Sequence, residues 1–288
     1  MAKPKIAAWE VSDAFWQRVE PLIPLPPERP AHRKYQRKPG GGRKRKDPRL
    51  VFAGIVYVLR TGCQWKALPR ERFGSASAIH KQFLAWQAAG VFEALWRAGL
   101  AEYDDMEGIA WRWQSIDGSM LKAPLAQASV GPNPTDRGKN GSKRHLLVDG
   151  RGVPLSLIVT GANRHDVTQL EAVLDAVEVR RPTPPQRRHK HLCADNGYRG
   201  APALVTIELH DYIPHVQGRG DEARELRRRP GQRARRWVVE VAHSWFNRFR
   251  KLLVRYEKRA DSFLALNYLA AAIIAFRKVP IQPNVIYG

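Results

Sequence analysis

The spacing of apolar residues changes near residue 110, and that change restricts the fold more than any other feature of the chain. Before it, apolar positions recur every three or four residues, the period of short amphipathic helices. Ser12 is a plausible N-cap, and Phe15, Trp16, Val19, Leu22 and Ile23 then fall on one face, with Pro21 placed to end the helix a turn early. Asp47-Pro48 opens a second helix: a carboxylate at the N-cap, and proline where its missing N–H costs nothing. Leu50, Val51, Gly54, Ile55, Val58 and Leu59 form its buried stripe, and Thr61-Gly62 closes it. A third helix follows Ser75 or Ser77, with Ile79, Phe83 and Trp86 inward and His80, Lys81, Gln82 and Gln87 outward. Gly90 ends it, and residues 91–103 continue as a further helix. Several short helices joined by tight glycine turns suit a helix-turn-helix-like module whose reading helix is residues 77–89. An ordinary helical bundle has the same pattern.

After residue 110 the units are shorter. Residues 113–117, 145–148 and 155–160 read as strands, with Asp149-Gly150-Arg151-Gly152 as a turn. Asp166-Val167-Thr168-Gln169 has the form of a capping box that opens a helix through Val177. A proline-rich loop at 182–185, a strand at 191–194, a helix at 202–209 and a strand at 212–214 follow, and the last third is helical. This order predicts a mixed α/β sheet with a helical flank. The expected division is a helical DNA-binding domain over 1–107, with a basic arm at 31–46, and a catalytic α/β domain over 108–288.

Charge bears on the partner. Lys and Arg number 49 against 27 Asp and Glu, a net charge of +22. Residues 31–49 hold nine Lys/Arg and one acid, among them the run Arg43-Lys44-Arg45-Lys46 after Gly40-Gly41-Gly42. Residues 219–236 hold eight Arg against three acids. Such clustering favours a polyanion, and nucleic acid first, over a merely solvated surface. The arm is expected to be mobile and to order on DNA. Lys139, Lys143 and Arg144, beside the second strand, would suit phosphate contacts; a solvated basic loop is the plain alternative. An anionic membrane fits less well, because no amphipathic segment sets a broad apolar face against the basic one. No apolar run approaches a membrane span, no secretory signal is read, and two distant cysteines, Cys63 and Cys193, fit a reducing cytoplasm.

Three acids stand where chemistry collects. Asp117 and Asp195 each end a strand, in Ser115-Ile116-Asp117-Gly118-Ser119 and Leu192-Cys193-Ala194-Asp195-Asn196-Gly197. Glu240 follows Arg236 by one turn of a helix. Val238, Val241, Ala242, Trp245, Phe249 and Leu252 would form the apolar face of that helix, leaving Glu240, His243, Ser244 and Asn247 outside. Carboxylates alone are hard oxygen ligands, suited to Mg²⁺ or Mn²⁺ rather than zinc. Two such ions can activate a water or a 3′-hydroxyl and stabilise the leaving oxygen of a phosphodiester. Each acid also has a plain reading: a turn residue for Asp117, a hairpin turn for Asp195, and an i,i+4 pair with Arg236 for Glu240. His165, before Asp166, reads as a neighbour of the cap rather than an acid/base group. The nine Trp, Trp237 and Trp245 included, read most simply as core, although one exposed ring could stack on a flipped base.

Four ordered stretches resemble bacterial insertion-sequence DDE transposases, insertion-sequence family five most closely. They are residues 114–119, residues 138–149, residues 194–200, and Arg236 to Glu240 followed by residues 245–250. Gly42-Arg43 and residues 60–69 are similar as well. The resemblance implies an RNase H-like catalytic domain in which Asp117, Asp195 and Glu240, 78 and 45 residues apart, bind two Mg²⁺ or Mn²⁺ ions. Related families carry a Tyr, Arg, Glu, Lys signature. Here Arg236 fits the arginine, Arg233 stands at the tyrosine place and Asn247 at the lysine place, with Arg248 beside it. The implied activity is binding of terminal inverted repeats, metal-dependent cleavage and transfer of 3′-hydroxyl ends to target DNA, by a homodimer on paired ends near the nucleoid. Arg43, Lys44, Arg45, Lys46, His80, Lys81, Gln82, Lys139, Lys143, Arg144, Arg236 and Arg248 are the expected DNA contacts. A repurposed DNA-binding protein and an RNase H-like nuclease without strand joining are the alternatives.

Overall fold

The computed structural model describes residues 9–25, 45–180, 189–216, 224 and 235–279. The basic arm lies outside these residues except for Arg45 and Lys46, and so does the loop at 182–185.

The first helices form as their sequence signals direct. In α1 (Asp13–Val19) the Ser12 hydroxyl accepts from the Phe15 N–H at 3.1 Å, and a 3-10 turn, Glu20–Leu22, takes over at Pro21. In α2 (Pro48–Thr61) the Asp47 carboxylate accepts from the Arg49 N–H, and Gly62 ends the helix at φ 73°, a left-handed cap favouring a residue without Cβ. Then come α3 (Arg70–Phe73), α4 (Ala76–Ala88) and α5 (Val91–Glu107). Ser75 precedes α4, but its side chain makes no capping bond.

The sheet has six strands: β1 (Trp113–Lys122), β2 (Gly131–Pro132), β3 (Asn140–Val148), β4 (Pro154–Gly161), β5 (Lys190–Ala194) and β6 (Tyr212–Val216). The first three expected strands exist, and β1 and β3 are longer than expected because residues 118–122 pair with 141–145 across them. Spatial order is β2-β3-β1-β5-β6, with β4 also on β3. β3 runs antiparallel to β1 and β4, whereas β5 is parallel to β1 and β6 parallel to β5. The β3–β4 turn is tied down by buried Asp149, which accepts from the Tyr103 hydroxyl and the N–H groups of Ala110, Arg151 and Val153.

Both faces of the sheet are covered. On one, Ile116, Leu147, Leu192 and Tyr212 meet α6 (Leu170–Asp175) and α7 (Ala201–Leu209). On the other, Leu146, Val148, Leu155 and Leu157 meet α8 (Trp237–Asn247), α9 (Ala260–Phe276) and the N-terminal helices. α9 is apolar on nearly every side, so it needs cover all round and lies between the sheet and α5. Gly99 allows that approach: a Cβ there would sit 3.0 Å from the Phe276 ring. Each fully buried Leu, Ile or Phe of this layer contributes about 1.5–3 kcal/mol. The helices of the first 107 residues therefore share one core with the C-terminal helices.

Two local expectations are corrected. The helix expected over 166–177 is a 3-10 turn, Asp166–Gln169, followed by the six-residue α6. The capping box does not form, because His165 holds the cap position and the Asp166 carboxylate turns to Lys143 and His145. In α8 the buried residues are Val239, Ala242, His243 and Phe246, so His243 faces inward rather than out.

Candidate active site

Strand register brings the first two acids together. Ser115 of β1 pairs with Cys193 of β5. Two residues further along stand Asp117, inside β1, and Asp195, the first residue past β5. Ile116 and Ala194, just before them, point into the α6–α7 core, so both acids take the opposite face, toward α8. α8 packs on β1 and β3 and carries Glu240, exposed, in its first turn. A carboxylate is favoured there by the helix dipole.

The electrostatics show that the acids share a field. Asp117 is raised to about 6, by burial first and then by the like charges of Asp195, Asp166 and Glu240, against an opposing hydrogen bond from the Gly118 N–H at 2.8 Å. Asp195 accepts from the Gly197 N–H at 2.8 Å and so caps the 3-10 turn Asn196–Tyr198; the turn is no hairpin. Among the described residues no three His, Cys, Asp or Glu side chains already converge on one ion point. Asp117 does not end its strand as expected, because β1 runs on through Lys122 in its pairing with β3. The donor set nevertheless fits a hard divalent cation: carboxylate oxygens only, repelling one another until a cation offsets them.

Asp166 is a fourth acid that sequence reasoning treated as a cap. Its carboxylate lies 3.1 Å from Lys143 Nζ and 3.2 Å from His145 Nδ1. Burial would raise it, but the bonds from His145 and Lys143 outweigh that and hold it low. It fits against Gly118 because that residue has no side chain; a Cβ there would overlap Asp166 Oδ1.

The other expected contacts divide. Lys139, Lys81 and Arg248 are exposed, and Arg236 and Gln82 are half-buried. Lys143 is 3 % exposed, with its ammonium donating to Asp166 and the Arg164 carbonyl. Arg144 is 0 % exposed and cannot reach a phosphate. Its guanidinium lies 4.4 Å from the Phe246 ring centroid and 3.4 Å from both Asn267 Oδ1 and His243 Nδ1. Both are corrected from surface contacts to buried groups, because β3 is an inner strand covered on both faces. Burial, and then the Arg144 charge, pushes His243 down to about 3, so its ring is neutral. His80 is half-buried against Trp65, centroids 4.8 Å apart, and Lys46 donates to the Phe73 carbonyl at 2.7 Å, at the end of α3. Arg45 is exposed; Arg43 and Lys44 lie outside the described residues. Trp237 is 46 % exposed, three residues before Glu240.

Residues 114–275, more than half the chain, match the family described as "Transposase DDE domain", and residues 11–96 match "Putative transposase of IS4/5 family (DUF4096)". Over 149 residues the chain is 40 % identical to "Putative transposase for insertion sequence element IS402" of Burkholderia cepacia, spanning 51 % of this chain and 68 % of that protein. Over 135 residues it is 33 % identical to "Insertion element IS402 uncharacterized 16.2 kDa protein" of the same organism, spanning 46 % and 84 %. Among solved structures, a pre-cleavage Mos1 transpososome is matched over 86 % of this chain and 83 % of that one, at 12 % identity and a TM-score of 0.29. The sheet pairs β1 to β4 antiparallel and then adds β5 and β6 parallel, with helices on both faces, and is RNase H-like as the motifs implied. On the DDE-domain match and the 40 % identical IS402 relative, the chain belongs to the DDE-domain transposases of bacterial insertion sequences.

Proposed function

We propose that the chain binds the terminal inverted repeats of its element, cleaves DNA there in a Mg²⁺- or Mn²⁺-dependent step, and joins the freed 3′-hydroxyls to target DNA. The observation that supports this is that Asp117 in β1 and Asp195 just past β5 each stand two residues beyond the paired Ser115 and Cys193 of adjacent parallel strands, while α8, which carries Glu240, packs on β1. Asp117, Asp195 and Glu240 would hold two divalent ions. Bound there, the ions would supply a nucleophile activated at neutral pH and stabilisation of the leaving oxygen. Asp117 and Asp195 would hold the ions from the sheet and Glu240 would close the set from the helix, the ions offsetting the charge of the scissile phosphate that the carboxylates alone would repel. Water attack breaks one phosphodiester and leaves a 3′-hydroxyl. Attack by that hydroxyl on target DNA forms one phosphodiester for the one it breaks, so no nucleotide cofactor is required.

Lys139, Arg236 and Arg248 would meet phosphates near the site, a reading supported by the exposure of Lys139 and Arg248, with Arg43, Lys44 and Arg45 from the arm. Lys81 and Gln82 on α4 would read base edges. A homodimer would hold the paired ends, and the work would be done on the nucleoid in the cytoplasm. No helix among the described residues is long and apolar enough to cross a membrane.

The test uses Asp117→Asn, Asp195→Asn and Glu240→Gln with end DNA and Mg²⁺. Each should lose cleavage, and joining of pre-cut ends, by several orders of magnitude while keeping end binding. Near-normal cleavage by one variant removes that residue from the site. Cleavage without joining in the parent protein identifies a nuclease instead.

A further inference from the structure

Three helices end beside one another, and each brings an arginine to the meeting point. Arg60 lies in the last turn of α2, and Arg248 and Arg277 cap α8 and α9. Arg60 lies over the ring of Phe249, the residue after Arg248, 5.3 Å from its centroid. Lys278, the residue after Arg277, lies over the Trp245 ring, 4.2 Å from its centroid. The Arg248 N–H in turn donates to the Trp245 carbonyl at 3.2 Å. Gly62 lets α2 come this close, since a Cβ there would sit 3.0 Å from the Arg250 backbone. Arg248 and Arg277 are exposed and Arg60 is half-buried, so a ligand can reach the cluster. Among the described residues, the charge acting on Arg60 is that of Arg248, and those acting on Arg277 are Arg60 and Arg248; in both they add to burial in lowering the group. Asp149 acts on Lys278, but its carboxylate is already bonded within the β3–β4 turn.

A basic residue at one helix C-terminus is ordinary, because it offsets the dipole. That gain is made separately at each end and falls off within a turn. It does not explain three such groups gathered where they repel one another. An anion with several oxygens relieves that repulsion, and planar guanidiniums suit phosphate. The position on α8 indicates which phosphate. Trp237, Glu240, Ser244, Asn247 and Arg248 are the exposed residues of that helix and its cap, and they form one stripe. From Glu240 to Arg248 the stripe runs about 12 Å, at about 1.5 Å per residue. Along a DNA strand, with one charge per about 3.4 Å of axis, that is about three to four base pairs.

Resting on the reading of this chain as a DNA-cutting enzyme with Glu240 at its reaction site, we propose that Arg60, Arg248 and Arg277 form a phosphate clamp. It holds the backbone of the end DNA about three to four base pairs from the cut. One cation comes from the N-terminal helices and two from the helices that follow the sheet, so the bound strand ties the two parts of the chain together.

The experiment compares the full chain with Arg60→Gln/Arg277→Gln and with Arg277→Gln alone, by filter binding of end and unrelated duplexes in chelator across a salt series. The double variant should flatten the plot of log affinity against log salt by about 2 units, and the single variant by about 1. Both should weaken the two duplexes alike. Without DNA, Arg277→Gln should melt at or above the parent temperature, since it removes repulsion. Single methylphosphonate substitutions along the end duplex then locate the contact. The parent should lose affinity at phosphates about three to four base pairs from the cut, and the double variant should lose nothing further there. A parent-like salt slope in both variants, with Arg277→Gln melting well below the parent, makes the arginines helix caps and overturns the inference. Equal methylphosphonate losses in parent and double variant overturn it as well. A parent protein that fails to bind end DNA, or near-normal cleavage by Glu240→Gln, is the separate result that refutes the underlying reading, and the clamp with it.

Discussion

Asp117→Asn should stabilise the metal-free protein at pH 7. The folded chain holds the Asp117 proton up to about pH 6, against an ordinary value of 3.8. Below 3.8 the group is neutral in both states and contributes nothing. As pH rises from 3.8 through 6 the unfolded chain releases the proton first, so stability falls; above 6 the penalty is fully in place. About two pKa units correspond to about 3 kcal/mol. Asp117 keeps some contact with solvent, and screening reduces this to about 1–3 kcal/mol. Asparagine removes the charge, keeps the shape, and its oxygen can still accept from the Gly118 N–H. The expected gain in melting temperature is about 2–8 °C at pH 7 in chelator, vanishing near pH 4. Mg²⁺ should then raise the parent's melting temperature more than the variant's, because the ion binds the folded carboxylates. The assay is a set of thermal melts of both proteins from pH 4 to 8, with chelator and with a Mg²⁺ titration. If the variant melts lower than the parent throughout and responds equally to Mg²⁺, Asp117 is a turn residue and the reasoning fails.

Replacing Arg43, Lys44 and Arg45 together with Gln should flatten the plot of log affinity against log salt by about 2–3 units, since each phosphate contributes about 0.9. It should weaken unrelated DNA as much as the repeats, whereas changing Lys81 and Gln82 should shrink the ratio of specific to nonspecific affinity; filter binding across a salt series reads both. Arg144→Met should leave the salt slope unchanged, because the guanidinium is buried beside Phe246. Its melting should shift by less than the loss of about 3–5 kcal/mol expected from breaking a buried ion pair, since no carboxylate is bonded to it.

What could be read from the sequence was whatever local chemistry decides. Asp47-Pro48 and Gly62 bound α2 because a cap, an absent N–H and a positive φ are properties of those residues alone. Asp117 and Asp195 were legible because each follows a short strand pattern, although β1 continues past Asp117 to Lys122 because β3 pairs with it that far. The run Ser142-Lys143-Arg144-His145 misled for the opposite reason. Lys143 and Arg144, just before the strand expected at 145–148, read as phosphate contacts or a solvated basic loop, yet β3 begins at Asn140 and lies between β1 and β4 with helices on both sides. Only the partners explain the burial: Asp166 for Lys143 and His145, an aromatic face and a neutral imidazole for Arg144.

The same competition between local and distant partners decided Asp166 and His243. Asp-x-x-Gln is a sufficient local signal for a cap, but a cap is worth about 1 kcal/mol, and two cationic or hydrogen-bonding partners beside a buried carboxylate are worth more. The carboxylate therefore left the helix end for the sheet, and the helix began four residues late, at Leu170. His243 was set on the outer face because it is polar. Held neutral by burial and the Arg144 charge, it packs as part of the inner face of α8. That choice sets the rotation of the helix and so the direction in which Glu240, three residues earlier, faces. The third acid was thus identifiable from the sequence, but its aim was not, because it depends on a buried histidine whose protonation is fixed by a strand nearly a hundred residues away.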